Sequence, residues 1–144
     1  MREVALRLLE VRARTRSELT RRLEARGFAA AEVGALVERL GEAGLLDDQR
    51  FACDRARVLA GRGQGEGRIE ADLVARGVDR DTIARALQEA FEGEPPEARM
   101  RALAERRFGP GCLEPEADPR LRARIQRYLV QKGFEPEGVD ALFT

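Results

Sequence analysis

The stretch from Ser17 to Phe28 reads SELTRRLEARGF. Leu19 and Leu23 stand one helical turn apart on the same face. Gly27 is the residue that takes the left-handed conformation at a helix end, and Phe28 then folds back toward Leu23. Just upstream, Thr15 and Glu18 have the spacing of a capping box, in which hydroxyl and carboxylate each satisfy an otherwise unpaired amide. Start, face and stop of one helix are thus all written in a single short run.

The same pattern returns twice. Ile69, Leu73, Arg76, Gly77 and Val78 occupy the positions of Leu19, Leu23, Arg26, Gly27 and Phe28 fifty residues later. Ile125, Leu129, Lys132, Gly133 and Phe134 do so after a further fifty-six. Downstream, Val33 and Val37 correspond to Ile83 and Leu87, then to Val139 and Phe143. Repetition at such a period is the signature of a repeat architecture. The capping box is confined to the first copy; Gly65 stands in the place of Thr15, so the second start is either weaker or fixed by packing.

Each copy reads as three helices. In the first, a leading helix over Glu3 to Arg14 presents Leu6, Leu9 and Ala13, and a trailing helix over Ala31 to Gly41 presents Val33, Leu36, Val37 and Leu40. In the second, Asp47 or Asp48 caps a helix carrying Phe51, Ala52, Ala56 and Leu59, and Asp79 caps one carrying Ile83, Leu87 and Phe91. In the third, Arg99 to Phe108 lead, and Pro136 opens the last helix where its missing amide costs little. No segment supports a strand. The fold class is all-α: three tandem three-helix repeats over residues 1–46, 47–94 and 95–144, with a Gly/Pro-rich insert at 109–119. A unit of about 45 residues buries too little surface to stand alone, so the expectation is an elongated, curved array with a long concave face.

Composition narrows the chemistry. The chain has no histidine and two cysteines, Cys53 and Cys112, far apart in sequence, so a zinc cluster or a Cys/His catalytic pair has no material. Cys53 reads as a small apolar residue and Cys112 as a free loop thiol, which fits a reducing compartment. With no signal peptide and no apolar run of membrane-spanning length, the expectation is a cytoplasmic protein. Asp47 and Asp48 diverge at a helix start and read as caps rather than as metal ligands or an acid–base pair. Gly61, Gly63, Gly65 and Gly67 have neither a preceding strand nor a following Lys-Ser/Thr, so they read as a flexible turn between helices instead of a phosphate loop. Nothing calls for a cofactor.

The 26 basic and 26 acidic residues cancel, yet they alternate in blocks. Residues 1–26, 50–62 and 99–134 are basic, while 27–49, 63–98 and 135–144 are acidic. Nearly all the cations are arginine, whose planar fork suits phosphate and carboxylate alike. If folding gathers the basic blocks, their arginines form a binding face: Arg12, Arg14, Arg16, Arg21, Arg22 and Arg26; Arg55, Arg57, Arg62 and Arg68; Arg120, Arg122, Arg124 and Arg127. The competing expectation is solvation, or pairing one turn away as for Arg22 with Glu18. One tyrosine, six phenylalanines and no tryptophan offer little for base stacking, and Tyr128 reads as core before exposed ring. Any nucleic-acid binding is then electrostatic and salt-sensitive.

The run Gly44, Leu45, Leu46, Asp47, Asp48, Gln49, Arg50, Phe51, Ala52, after Leu40-x-x-x-Gly44, resembles the RecX signature. So do Ser17, Glu18, Leu19 through Arg26, Gly27, Phe28, and the closing Tyr128, Leu129, Lys132, Gly133, Phe134. Val78 departs from the aromatic of the other copies. The resemblance implies a non-enzymatic modulator, mainly an inhibitor, of the RecA recombinase, and the chain is expected to be a monomer. Such a protein binds RecA and the groove of its filament on single-stranded DNA, and suppresses ATPase, strand-exchange and co-protease activity. Two other classes stand beside it: a helix-turn-helix-like duplex-DNA regulator built on Ser17 to Phe28, and a scaffold that binds protein alone.

Overall fold

The computed structural model describes residues 1–144, and all of its regular structure is helical. The first copy supplies α1 (Arg2–Val11), α2 (Arg16–Ala25) and α3 (Ala30–Glu42). The second supplies α4 (Asp48–Gly61), α5 (Glu66–Ala75) and α6 (Arg80–Phe91), and the third α7 (Pro96–Phe108), α8 (Pro119–Gln131) and α9 (Pro136–Ala141). The chain divides into two compact units, residues 1–55 with 72–90, and residues 56–71 with 91–144.

In the first unit α2 packs on α1 and α3. Ala5, Leu8, Leu19, Leu23, Val33, Leu36, Val37, Leu40 and Leu46 form its core, with Phe28 packed against them. The second unit has a matching core on α7, α8 and α9, where Met100, Ala104, Ile125, Leu129, Phe134, Val139 and Leu142 are buried with Cys112. Cys112 lies in the insert, yet its thiol faces this core. Burial, with Glu105 adding, pushes its pKa up. Cys53 is likewise buried.

The helix stops follow the sequence pattern closely. Gly27, Gly77 and Gly133 have φ of 94°, 83° and 102°. The next amide then reaches back: Phe28 to the Leu23 carbonyl at 3.3 Å, Val78 to that of Leu73 at 3.1 Å, and Phe134 to that of Leu129 at 3.2 Å. These are Schellman closures that satisfy otherwise orphaned carbonyls.

The starts are more varied. Thr15 forms the full capping box with Glu18, and its hydroxyl also donates to the Arg76 carbonyl at 2.6 Å. The equivalent start at Gly65 is fixed by packing: the Gly65 amide donates to the Lys132 carbonyl at 2.7 Å and that of Gly67 to Gly133 at 2.9 Å. A Cβ on Gly65 would stand 2.7 Å from both the Gly133 carbonyl carbon and the Phe134 nitrogen. At Gly65 and Gly67 the glycine run is therefore a close-packed seam and not a flexible turn, because backbone must approach backbone there, whereas Gly61 stands in open space. Asp47 caps α4 by accepting from the Arg50 amide at 3.1 Å, and Asp79 caps α6 through the Thr82 amide at 2.8 Å and hydroxyl at 3.0 Å.

Two helix ends differ from the sequence reading. α1 stops at Val11 and not near Arg14, because the backbone must be extended at Arg12 and Thr15 to reach the capping box. α7 begins at Pro96, three residues before Arg99, since proline at the first helical position loses no bond.

Two glycines give opposite tests. Gly34 lies inside α3, and a Cβ added there would meet nothing within 4 Å, so Gly34→Ala stabilises by roughly 0.5–1 kcal/mol. Gly27 has equal space but a left-handed backbone, so Gly27→Ala destabilises by about 1–2 kcal/mol. Urea midpoints of the two variants should move in opposite directions.

Candidate protein and nucleic-acid interface

The first basic block is largely engaged inside its own unit. Arg14 is 5% exposed, and its Nε donates to the Leu8 carbonyl at 3.1 Å. Burial, with Arg12 and Arg22 nearby, lowers its pKa. Arg14 thus cannot reach a partner. Arg12 pairs with Glu18 at 3.2 Å. The Arg16 amide donates to Asp48 at 2.9 Å, and burial pushes the Asp48 pKa up despite that bond, with Asp79 and Asp47 adding to it. Arg21 donates to the Ser17 hydroxyl at 3.1 Å. Arg22 and Arg26 are exposed, and Glu18, the acid one turn before Arg22, pairs instead with Arg12 and Arg76.

Arg55 is engaged more firmly. Its Nε and Nη2 grip Asp72 at 3.1 and 3.0 Å, the bidentate geometry that makes arginine–carboxylate pairs strong. Arg76 closes the network: Nε reaches Asp72 at 3.0 Å, Nη1 reaches Glu18 at 3.2 Å, and its guanidinium lies 5.8 Å from the Phe51 ring centroid. Arg55 and Arg76, despite opposing burial, hold the Asp72 carboxyl below the usual range. Burial works against the Glu18 carboxylate, but the Thr15 amide, Arg12 and Arg76 hold its pKa low. Arg76 is absent from the sequence-derived site, although its repeat position, shared with Arg26 and Lys132, singles it out.

In the second unit Arg57, Arg62 and Arg68 are exposed. Arg99 is not: it pairs with Glu66, donates to the Gln64 carbonyl at 3.5 Å, and sits 4.1 Å over Phe91 and 5.4 Å over Phe134. Burial lowers its pKa.

The third block is different in kind. Arg120, Arg122, Arg124 and Arg127 are exposed along α8, and no ion pair involves them. Arg120, Arg124 and Arg127 follow a spacing of four and three, one face of the helix. Aromatic rings support several of these cations. Arg122 lies 4.7 Å over Phe143 and Arg124 5.6 Å over Phe108. Phe108 meets Tyr128 edge-to-face at 5.5 Å, and Arg107 and Lys132 stand 6.0 and 5.7 Å from the Tyr128 centroid. Tyr128 is half-buried and packs against the core of the second unit. Lys132 follows Tyr128 by one helical turn at the end of α8, whereas Arg107 joins the site only through the fold. Unpaired guanidinium groups over rings can hold anions.

Comparison with known proteins agrees with this architecture. Residues 2–40 match the family description RecX, first three-helix domain; residues 47–87 match its second three-helix domain and 96–142 its third. Regulatory protein RecX of Chromohalobacter salexigens is 44% identical over 141 residues, spanning 96% of this chain and 87% of the relative. That of Halorhodospira halophila is 40% identical over 141 residues, spanning 98% and 84%. The crystal structure of RecX from Lactobacillus salivarius shares the fold with a TM-score of 0.80 at 20% identity, over 97% of this chain and 90% of that one. A second crystal structure, of regulatory protein RecX, gives 0.73 at 23% identity, over 95% and 68%.

The Asp72 network yields a pH-dependent test. Its folded pKa is depressed, so the stability it gives is present above the ordinary carboxylate value and lost as pH falls through the folded value. Asp72→Asn should cost about 1–2 kcal/mol at pH 7. The gap to the parent protein should close below about pH 4, which urea unfolding at several pH values will read.

Proposed function

The chain belongs to the RecX family, and on that premise we propose that it modulates RecA, binding the recombinase and lying in the groove of its filament on single-stranded DNA. In this role it lowers ATPase, strand-exchange and co-protease activity by occupancy, with no reaction and no cofactor of its own, and it works in the cytoplasm as a monomer. The observation that carries this reading is a set of outward arginines without acid partners, Arg22 and Arg26 in one unit and Arg62, Arg68, Arg120, Arg122, Arg124 and Arg127 in the other. A filament groove offers both phosphates and carboxylates, and exposed guanidinium groups fit either. No helix is long and apolar enough to cross a membrane.

Arg12 and Arg55 contribute less to such a surface than Arg120 or Arg127, because a partner must first break their pairs with Glu18 and Asp72. Arg14 contributes nothing directly. A duplex-reading role for α2 would place its first turn in a DNA groove. That turn is held against the end of α5 by the Thr15 and Arg21 bonds, which weighs against it.

The test is RecA ATPase on single-stranded DNA. Added protein should lower the rate at or below one chain per RecA. Replacing Arg120, Arg124 and Arg127 together by alanine should raise the amount needed several-fold, whereas Arg14→Ala should act only through lost stability. A flat titration with folded protein would overturn the reading.

A further inference from the structure

Between the start of α5 and the stop of α8, both in the second unit, the contact is made by backbone and glycine. The Gly65 and Gly67 amides donate to the Lys132 and Gly133 carbonyls, and a Cβ on Gly133 would stand 2.9 Å from the Arg68 nitrogen. Amides and carbonyls recur along both segments, so such a seam holds tightly without dictating which groups meet. One side chain touches both sides of it. Arg99 of α7 pairs with Glu66 and donates to the Gln64 carbonyl on the α5 side, and it lies 5.4 Å over Phe134 on the α8 side, with the Phe91 ring 4.1 Å away. Holding a guanidinium there is costly. The Arg99 side chain is 12% exposed, its Nε has no hydrogen-bond partner, and burial lowers its pKa. The two rings and Glu66 offset that cost. As a rule a buried ion pair stabilises a fold no more than apolar side chains of equal volume, and its best-attested use is to fix register.

We propose that Arg99 and Glu66 are positioning residues that set the register of the α5 start on the α8 stop, contributing specificity of docking and little net stability. Glu66 suits the task because it stands in the first turn of α5, where a carboxylate also meets the electropositive helix end. The register matters because Arg68 sits on the seam: its stem covers Gly133, and the residue is exposed. A slip along the seam moves Arg68 relative to the cations of α8. That consequence rests on the filament-groove reading, in which Arg68 is one of the outward arginines; the register itself does not.

The test is made on the full chain. Arg99→Met combined with Glu66→Met roughly keeps the volume of both side chains and offers thioethers to the rings, a favourable contact. In urea the midpoint of this double variant should stay within about 0.3 M of the parent. Glu66→Met alone leaves the guanidinium buried without its carboxylate and should lower the midpoint by at least about 1 M. In the double variant the Gly65 and Gly67 amides should exchange with solvent at least about tenfold faster, while the Phe134 amide, whose bond to Leu129 closes α8 itself, keeps its rate. Against RecA, the double variant and Arg68→Ala should both be needed in several-fold larger amount than the parent to lower the ATPase rate. A double-variant midpoint as low as that of Glu66→Met makes the pair an ordinary stabiliser, and unchanged exchange leaves the register to the backbone; either result overturns the proposal. So does parent-like inhibition by a variant whose exchange has risen. If the parent leaves RecA unaffected, the filament-groove reading fails, while midpoint and exchange still decide the register.

Discussion

A leucine carbonyl that receives an amide from across a left-handed glycine ends the central helix of every repeat, at Leu23 with Phe28, Leu73 with Val78, and Leu129 with Phe134. The closure points the following residue back into the core and leaves the carbonyl just before the glycine facing outward. In two cases a neighbouring helix start uses that carbonyl: Thr15 donates to Arg76 within the first unit, and Gly65 to Lys132 within the second. A hydroxyl serves at one joint and a bare backbone amide at the other, so equivalent positions carry threonine and glycine for the same purpose. In both joints the electropositive beginning of one helix meets the electronegative end of another, which favours the arrangement further.

Much of this is legible in the sequence because it is local. Helical faces, the capping box at Thr15, the caps at Asp47 and Asp79, and the glycine stops all depend on residues within a turn of one another, and the structure places them as the spacing implies. The seam at Gly65–Gly67 reads as loose in sequence because its tightness comes from Gly133 and Phe134, remote along the chain. The end of α1 is hidden for a related reason: no periodicity announces the extended link to Thr15.

The candidate site is legible as charge and illegible as chemistry. Counting arginines locates three basic blocks but cannot say which guanidinium groups are already satisfied. Asp72 decides much of that for the first unit, taking Arg55 and Arg76 from separate helices; the acid-rich middle of the chain is thus partly an internal counter-ion. The arginines along α8 have no such partner. Asp118 instead caps α8 through the Arg120 amide. Arg107 enters the site through tertiary structure alone, while Lys132 lies one helical turn beyond Tyr128.

The near-exclusive use of arginine has a further chemical result. Lys132 is the single lysine of the chain and stands beside Tyr128. Acetylating or methylating enzymes, and amine-directed crosslinkers, find one side-chain amine to modify, so an acyl group added anywhere on a side-chain nitrogen of this type lands at the ring and removes a positive charge there. The remaining surface charge is beyond the reach of lysine chemistry.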